Sequence, residues 1–514
     1  MPFQQFITNL FGVEENTNTN TFAANQLLLT AFLQNSENAQ IRIYVPASPG
    51  YGHQANTVNI MYSLIAAGFN QDIQMIYDDT ETVPTNIVKL ATLIPGLDPI
   101  NPEPVDINEN VTVYFISTTN FATTPQDQLV FGITGGYDDS ATNLALLTKT
   151  SIFLKLQPYC WREVNSLYIN RGPGEENQTI INLSDVEVLG NFIFTRQNYY
   201  LPVPQMSETD YEQFTTATPA KVPPYRAILE ASTGENPTIN MMPVYGLGDL
   251  GGMIESMGAR PESVLFNLLA SVARTQRYGD AEHLKKGAVI VVIATITEPC
   301  YTNLIALLAG QNAEVPDLNA YILQENLDNR VDIIDYNAED FGDQLAAVAA
   351  SNQKILLVKM NGLPGAPFNY MYSKSTLPCV FEGKGTASLV LNLPLPFFNL
   401  TNSNLNRRYV YPTLPLQNIK ILQAETAASA QAITCNTTTF RLIEAFATTN
   451  TKLHNAGIEG TALYTAAQFM QNAYTPDNPI NTYLAGLSHY FHQQQNDKLT
   501  IALLYMLNYT KDIN

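Results

Sequence analysis

The feature that most constrains this chain is a set of short runs that are apolar at nearly every position. "IRIYVPA" from residue 41, "VTVYFIST" from 111, "GAVIVVIATI" from 287 and "KILLVKM" from 354 are rich in β-branched residues. A strand with one wet face alternates, so runs like these belong to strands buried on both faces. Between them lie stretches of helical period. In "TVNIMYSLIAAGF", Val58, Met61, Leu64 and Ile65 fall on one helical face. Strands buried on both faces and alternating with amphipathic helices predict an α/β protein with parallel sheets covered by helices.

With 514 residues and 45% apolar content, the chain has material for two or three domains. The strand–helix pattern restarts at Gly287, which predicts two α/β halves. The boundaries read as N-terminal helices over 1–40, a first Rossmann-like domain over 41–260, a second over 261–420 and C-terminal helices over 421–514. The first half takes in an irregular stretch rich in Pro, Tyr and Asn over 160–240 and a strand "TINMMPV" that ends in a run of glycines.

The formal charge of −20 argues against a nucleic-acid backbone as partner, because neutralising phosphates requires a basic surface. The longest apolar runs, about half of what spans a bilayer, predict no transmembrane segment. "MPFQQFITNLFG" has no basic stretch followed by a long apolar one, so synthesis in the cytosol is expected, with export as an effector left open. Cys160, Cys300, Cys379 and Cys435 form no Cys-x-x-Cys and pair with no His, so neither a metal site nor a cofactor is expected.

Two stretches carry candidate chemistry. The first, "SPGYGHQ", joins strand "IRIYVPA" to the following helix. In parallel sheets ligands gather at the carboxyl ends of strands, where glycines let backbone amides approach an anion and the helix N-terminus adds positive potential. Gly50, Tyr51, Gly52 and Gln54 are candidate lining residues, with His53 as general base, its neutral form favoured by the helix start. The other reading of His53 is a capping or packing residue. Gly135 and Gly136 in "ITGGYDDS" and Gly248 in "YGLGDLGG" fall at further strand ends, where Asp138 and Asp249 are alternative bases. The pairs Asp78–Asp79 and Asp138–Asp139 read as turn and cap residues.

The second stretch, "PCVFEGKGTASLVLNLPLPFF", is a strand, a glycine turn, a helix and another strand. First-turn amides, the Thr386 hydroxyl and Lys384 would suit a diphosphate, with Glu382, Gly383 and Gly385 shaping the turn; an ordinary strand-to-helix turn capped by Thr386 has the same pattern. Asn361 and Gly362 would face a nucleotide base, Phe368 or Tyr370 would stack on it, and Arg408 would suit a phosphate.

Together these stretches resemble the two-Rossmann-domain glycosyltransferases of the GT-B fold, in particular the N-acetylglucosaminyltransferase type that makes the lipid-linked peptidoglycan precursor. In that type a Gly-Gly-His turn opens the first helix, and a turn before "L-x-L-P-x-P-F-F" receives the diphosphate of a nucleotide sugar. The resemblance implies two domains facing across a cleft, a nucleotide-sugar donor as co-substrate and an acceptor of unidentified kind. Two departures stand out. The helix "TASLVLNL" lacks the acid that often holds the donor ribose, leaving Glu382 as the nearest carboxylate, and no Asp-x-Asp ends a strand. The second departure implies a metal-independent transferase. An epimerase of nucleotide sugars on the same fold, or a non-catalytic binding protein or toxin subunit, remain the alternatives.

Overall fold

The computed structural model describes residues 41–399 and 462–511, with breaks at 49, 81, 83, 124–130, 137–138, 158–164, 173, 184–198, 200, 248–260, 312–321, 324, 382–383, 394, 479–480, 482–483 and 486–496. The chain divides into two compact units between Val203 and Pro204. The expected helices over 1–40 and the stretch 421–461 lie outside the described residues.

The first unit is built on eight strands: β1 (Ile41–Val45), β2 (Ile73–Tyr77), β3 (Val105–Asn108), β4 (Val111–Ser117), β5 (Phe131–Thr134), β6 (Ile152–Lys155), β7 (Ser166–Asn170) and β8 (Gln178–Asn182). Their order is β3-β4-β2-β1-β5-β6-β7-β8. The five inner strands β4, β2, β1, β5 and β6 run parallel, as the apolar runs predict. The edges do not: β3, β7 and β8 pair antiparallel. β3 and β8 carry polar residues in the manner of a sheet margin with one wet face and so look like loop in sequence, whereas β7, between β8 and the parallel strands, is buried along most of its length. The period of two sorts β1 between layers. Ile41, Ile43 and Val45 join one core with Val58, Met61 and Leu64 of helix α1 (Gly52–Ala66), and Tyr44 joins the opposite one with Leu144 and Phe153. The C-terminal helix Lys498–Lys511 returns to the first core through Leu499, Leu503 and Met506.

The second unit has six strands, all parallel: β9 (Ile239–Val244), β10 (Gly287–Val292), β11 (Val331–Asp335), β12 (Ile355–Lys359), β13 (Cys379–Phe381) and β14 (Phe397–Asn399). The order is β11-β12-β10-β9-β13-β14. This corrects the expected boundary at 260. "TINMMPV" is a central strand of the second sheet, linked to β10 through the helix Pro261–Tyr278. The second unit therefore begins near 204, and much of the irregular stretch is the helices Glu208–Ala217 and Val222–Thr233 that lead into it. Such a βαβ unit keeps its strands as neighbours, so β9 follows β10 into that sheet. The helix Ala462–Tyr474 packs on Pro261–Tyr278.

Candidate functional site

Each sheet has one point where successive connections leave in opposite directions, and such a point opens a crevice at the carboxyl ends of the strands. In the first sheet β1 leads outward to β2 and the chain later re-enters at β5, so the point lies between β1 and β5. In the second it lies between β9 and β13. The turn after β1 and the turn after β13, both singled out by sequence, fall at these two points.

At the first point the turn after β1 is tied down from below. Ser48 donates its hydroxyl to the Gly50 carbonyl at 2.8 Å, and Gln54 donates to Pro46 O at 3.1 Å and Asn86 Oδ1 at 2.9 Å. Asn86 opens helix α2 (Asn86–Ala91) and donates its amide to the carbonyls of Val45 and Asp78, both at 3.0 Å. Lys89 of the same helix donates to the Ser48 carbonyl; its ammonium is fully buried, which lowers its pKa. Gln54 is thus a buried strut of the turn, which corrects its assignment to the lining. Neither Gln54 nor Lys89 announces this in sequence, because the partners of each are set by tertiary structure.

His53 lies in the first turn of α1, half-buried, with Nδ1 against the carbonyl of Gly136 beyond β5. A carbonyl only accepts, so Nδ1 carries the hydrogen and the neutral ring has its lone pair at Nε2. The glycine requirement sits on this partner loop. A Cβ on Gly135 would lie 2.6 Å from the backbone carbon of Asn56, and Gly136 has φ 152°. Gly50 and Gly52 differ: neither has positive φ, and a Cβ on either meets nothing within 4 Å. Gly52 is the first residue of α1. Tyr51, Gly50 and Gly52 are exposed, and no side chain caps α1.

Asp78, Asp79 and Asp139 serve local structure. Asp78 accepts from the Thr80 amide at 2.9 Å, Asp79 from the Thr118 hydroxyl at 2.6 Å and Asp139 from the Ser140 amide at 2.7 Å. Among the described residues no group of three or more His, Cys, Asp and Glu is placed to hold a metal ion.

At the second point the helix after β13 spans Lys384–Leu391, so Lys384, Gly385 and Thr386 form its first turn. Thr386 is therefore inside the helix and buried, not its cap. Glu382, Gly383, Arg408, Asp138, Gly248 and Asp249, with the side chain of Lys384, lie outside the described residues. Asn361 and Gly362 form a left-handed turn after β12, φ 53° and 87°. Their amides donate to Val292 O and Ile293 O, and their carbonyls each accept from Lys221 at 2.7 Å. Their backbone is thus committed to the fold rather than to a base. Phe368 packs edge-on against Tyr245 and tilted against Tyr372, ring centroids 5.2 and 4.5 Å away.

Two features here escaped the sequence reading. Gly246, Gly248 and Gly251 follow β9 with the spacing Gly-x-Gly-x-x-Gly, a phosphate-binding pattern when it follows a strand. The signal was present in "YGLGDLGG", but it is informative only once β9 is known to stand at the centre of its sheet. The other is an ionic cluster. Lys359 ends β12 and meets Glu298 at 3.0 and 3.1 Å and Asp335, which ends β11, at 3.5 Å. Those residues are dispersed in sequence and meet only through the register.

The architecture is that of an α/β protein with two sheets in two domains, each Rossmann-like. Compared with known proteins, the chain matches no family model and no curated protein. Among the described residues no helix is long and apolar enough to cross a membrane.

Proposed function

We propose that the chain is a glycosyltransferase that takes its sugar from a nucleotide-sugar donor and works without a metal ion. The donor is held at the carboxyl end of the second sheet, and the acceptor is deprotonated by His53 at the carboxyl end of the first. The observation that carries this reading is the contact between His53 Nδ1 and the Gly136 carbonyl, which presents Nε2 as the proton-accepting atom at a switch point. The Gly-x-Gly-x-x-Gly spacing after β9 and the helix starting at Lys384 flank the other switch point and suit a diphosphate.

In this scheme Nε2 takes the proton of an acceptor hydroxyl as the oxygen attacks the anomeric carbon. The bond from that carbon to the diphosphate breaks in the same displacement, which inverts the configuration. Helix-start amides and Lys384 offset the charge that collects on the leaving group, a role a metal plays elsewhere. His53→Ala should lower kcat by about two to four powers of ten with the KM for donor nearly unchanged, as loss of a general base requires. Full turnover in that variant with a lower Tm would make His53 a packing residue and end the assignment.

A further inference from the structure

The carbonyl that receives His53 belongs to a loop held from two sides. On one side Gly135 lies against the backbone of Asn56 and Thr57 of α1. On the other, the Tyr199 hydroxyl donates to the Leu156 carbonyl just beyond β6 at 2.5 Å, with the Gly135 carbonyl just beyond β5 at 3.4 Å. The Leu156 amide in turn donates to Thr134 O at 3.0 Å. The phenol therefore completes the frame from which Gly135 and Gly136 emerge. Tyr199 is fully buried, and its ring belongs to the core of the first unit.

The helix Lys498–Lys511 supplies the charged groups around this phenol. Lys498, fully buried, donates its ammonium to the Gln157 carbonyl, next to Leu156, and stands 5.8 Å from the centre of the Tyr199 ring. Asp497, 2% exposed, accepts from the Thr500 amide at 2.7 Å and so caps the helix. Burial first, then the charge of Asp497, raise the Tyr199 pKa, so the phenol remains a neutral donor.

These polar groups do a different job from the apolar side chains beside them. Leu499, Leu503 and Met506 dock the helix on the core by burial, which has no direction. Hydrogen bonds do have one, and burying charged groups costs desolvation that apolar side chains of the same volume would not. Tyr199 and Lys498 aim theirs at the backbone of Leu156, Gln157 and Gly135, one residue short of the Gly136 carbonyl. Lys498 and Gln157 are 341 positions apart, so the contact exists only in the folded unit.

We infer that Tyr199, braced by Asp497 and Lys498, is a positioning residue for His53: it holds the loop after β5 so that the Gly136 carbonyl keeps the hydrogen on Nδ1 and leaves Nε2 to accept. This rests on the reading of His53 as general base and makes the helix Lys498–Lys511 part of the machinery of the first site.

The test reads the His53 ring in the full chain by long-range nitrogen–proton NMR correlation at about pH 8.5, well above the ordinary imidazole value. The signal is assigned by its loss in His53→Ala. The wild type should show the tautomer with hydrogen on Nδ1. Tyr199→Phe keeps the ring in the core and removes only the hydroxyl; it should move the tautomer ratio about fivefold toward hydrogen on Nε2, the effect of one neutral hydrogen bond. Lys498→Met should move it the same way by a smaller factor. Leu503→Ala, in the core on the same helix, should lower Tm and leave the ratio unchanged. An unchanged ratio in Tyr199→Phe, or in Lys498→Met where Tyr199→Phe does not fold, overturns the inference while the His53 reading stands, as does an equal shift in Leu503→Ala. A wild type with its hydrogen on Nε2 removes the base assignment and this inference with it.

Discussion

The carboxyl ends of the two sheets are built from opposite materials. At the end of β1 the turn is held by neutral hydrogen bonds from Ser48, Gln54 and Asn86, with one buried cation, Lys89, directed at a backbone carbonyl. In the second sheet, the strand ends gather charge instead, with Glu298, Asp335 and Lys359 in contact and Lys221 bracing the neighbouring turn. A buried network fixes the geometry of the turn, and in the proposed reading His53 supplies the chemistry there. The ionic cluster instead keeps two largely exposed carboxylates around one buried ammonium.

The strongest way to break this comparison is to remove a strut. Gln54→Ala would leave the carbonyl of Pro46 without its donor and open a cavity beside Asn86. The expected loss is about 2–4 kcal/mol, measured by urea denaturation. A loss below about 0.5 kcal/mol would show that the turn does not depend on this network.

A pair of glycine substitutions sharpens the same point. Gly135→Ala drives a methyl into the backbone of Asn56 and Thr57 and should cost about 1–3 kcal/mol. Gly52→Ala enters open space at a helical position and should change stability by no more than about 0.5 kcal/mol, in either direction. Equal effects in thermal melting would contradict the assignment of the close approach to the loop after β5.

The central strands of both sheets were legible because burial on both faces leaves a compositional mark. "GAVIVVIATI" and "KILLVKM" could be little else, and they became β10 and β12. The position of β9 was not legible, since "TINMMPV" reads the same in either sheet and only its pairing with β10 and β13 assigns it. The link from His53 to Gly136 spans 83 residues, and the one from Lys359 to Glu298 spans 61. No local pattern encodes either. What sequence did reveal was the turn after β1 as a place of interest. It did not show which glycines there are constrained, because composition does not report φ.

The most direct measurement of the central claim is thermal stabilisation by nucleotide sugars. Uridine, guanosine and thymidine diphosphate sugars are each added well above any plausible dissociation constant, with the free sugars as controls. A ligand at a hundred times its Kd stabilises the folded state by about 2.7 kcal/mol. For a domain of this size that is a rise in Tm of about 5–10 °C. The account predicts such a rise with one of the three, unaffected by chelator. No shift with any of the three would contradict a nucleotide-sugar donor.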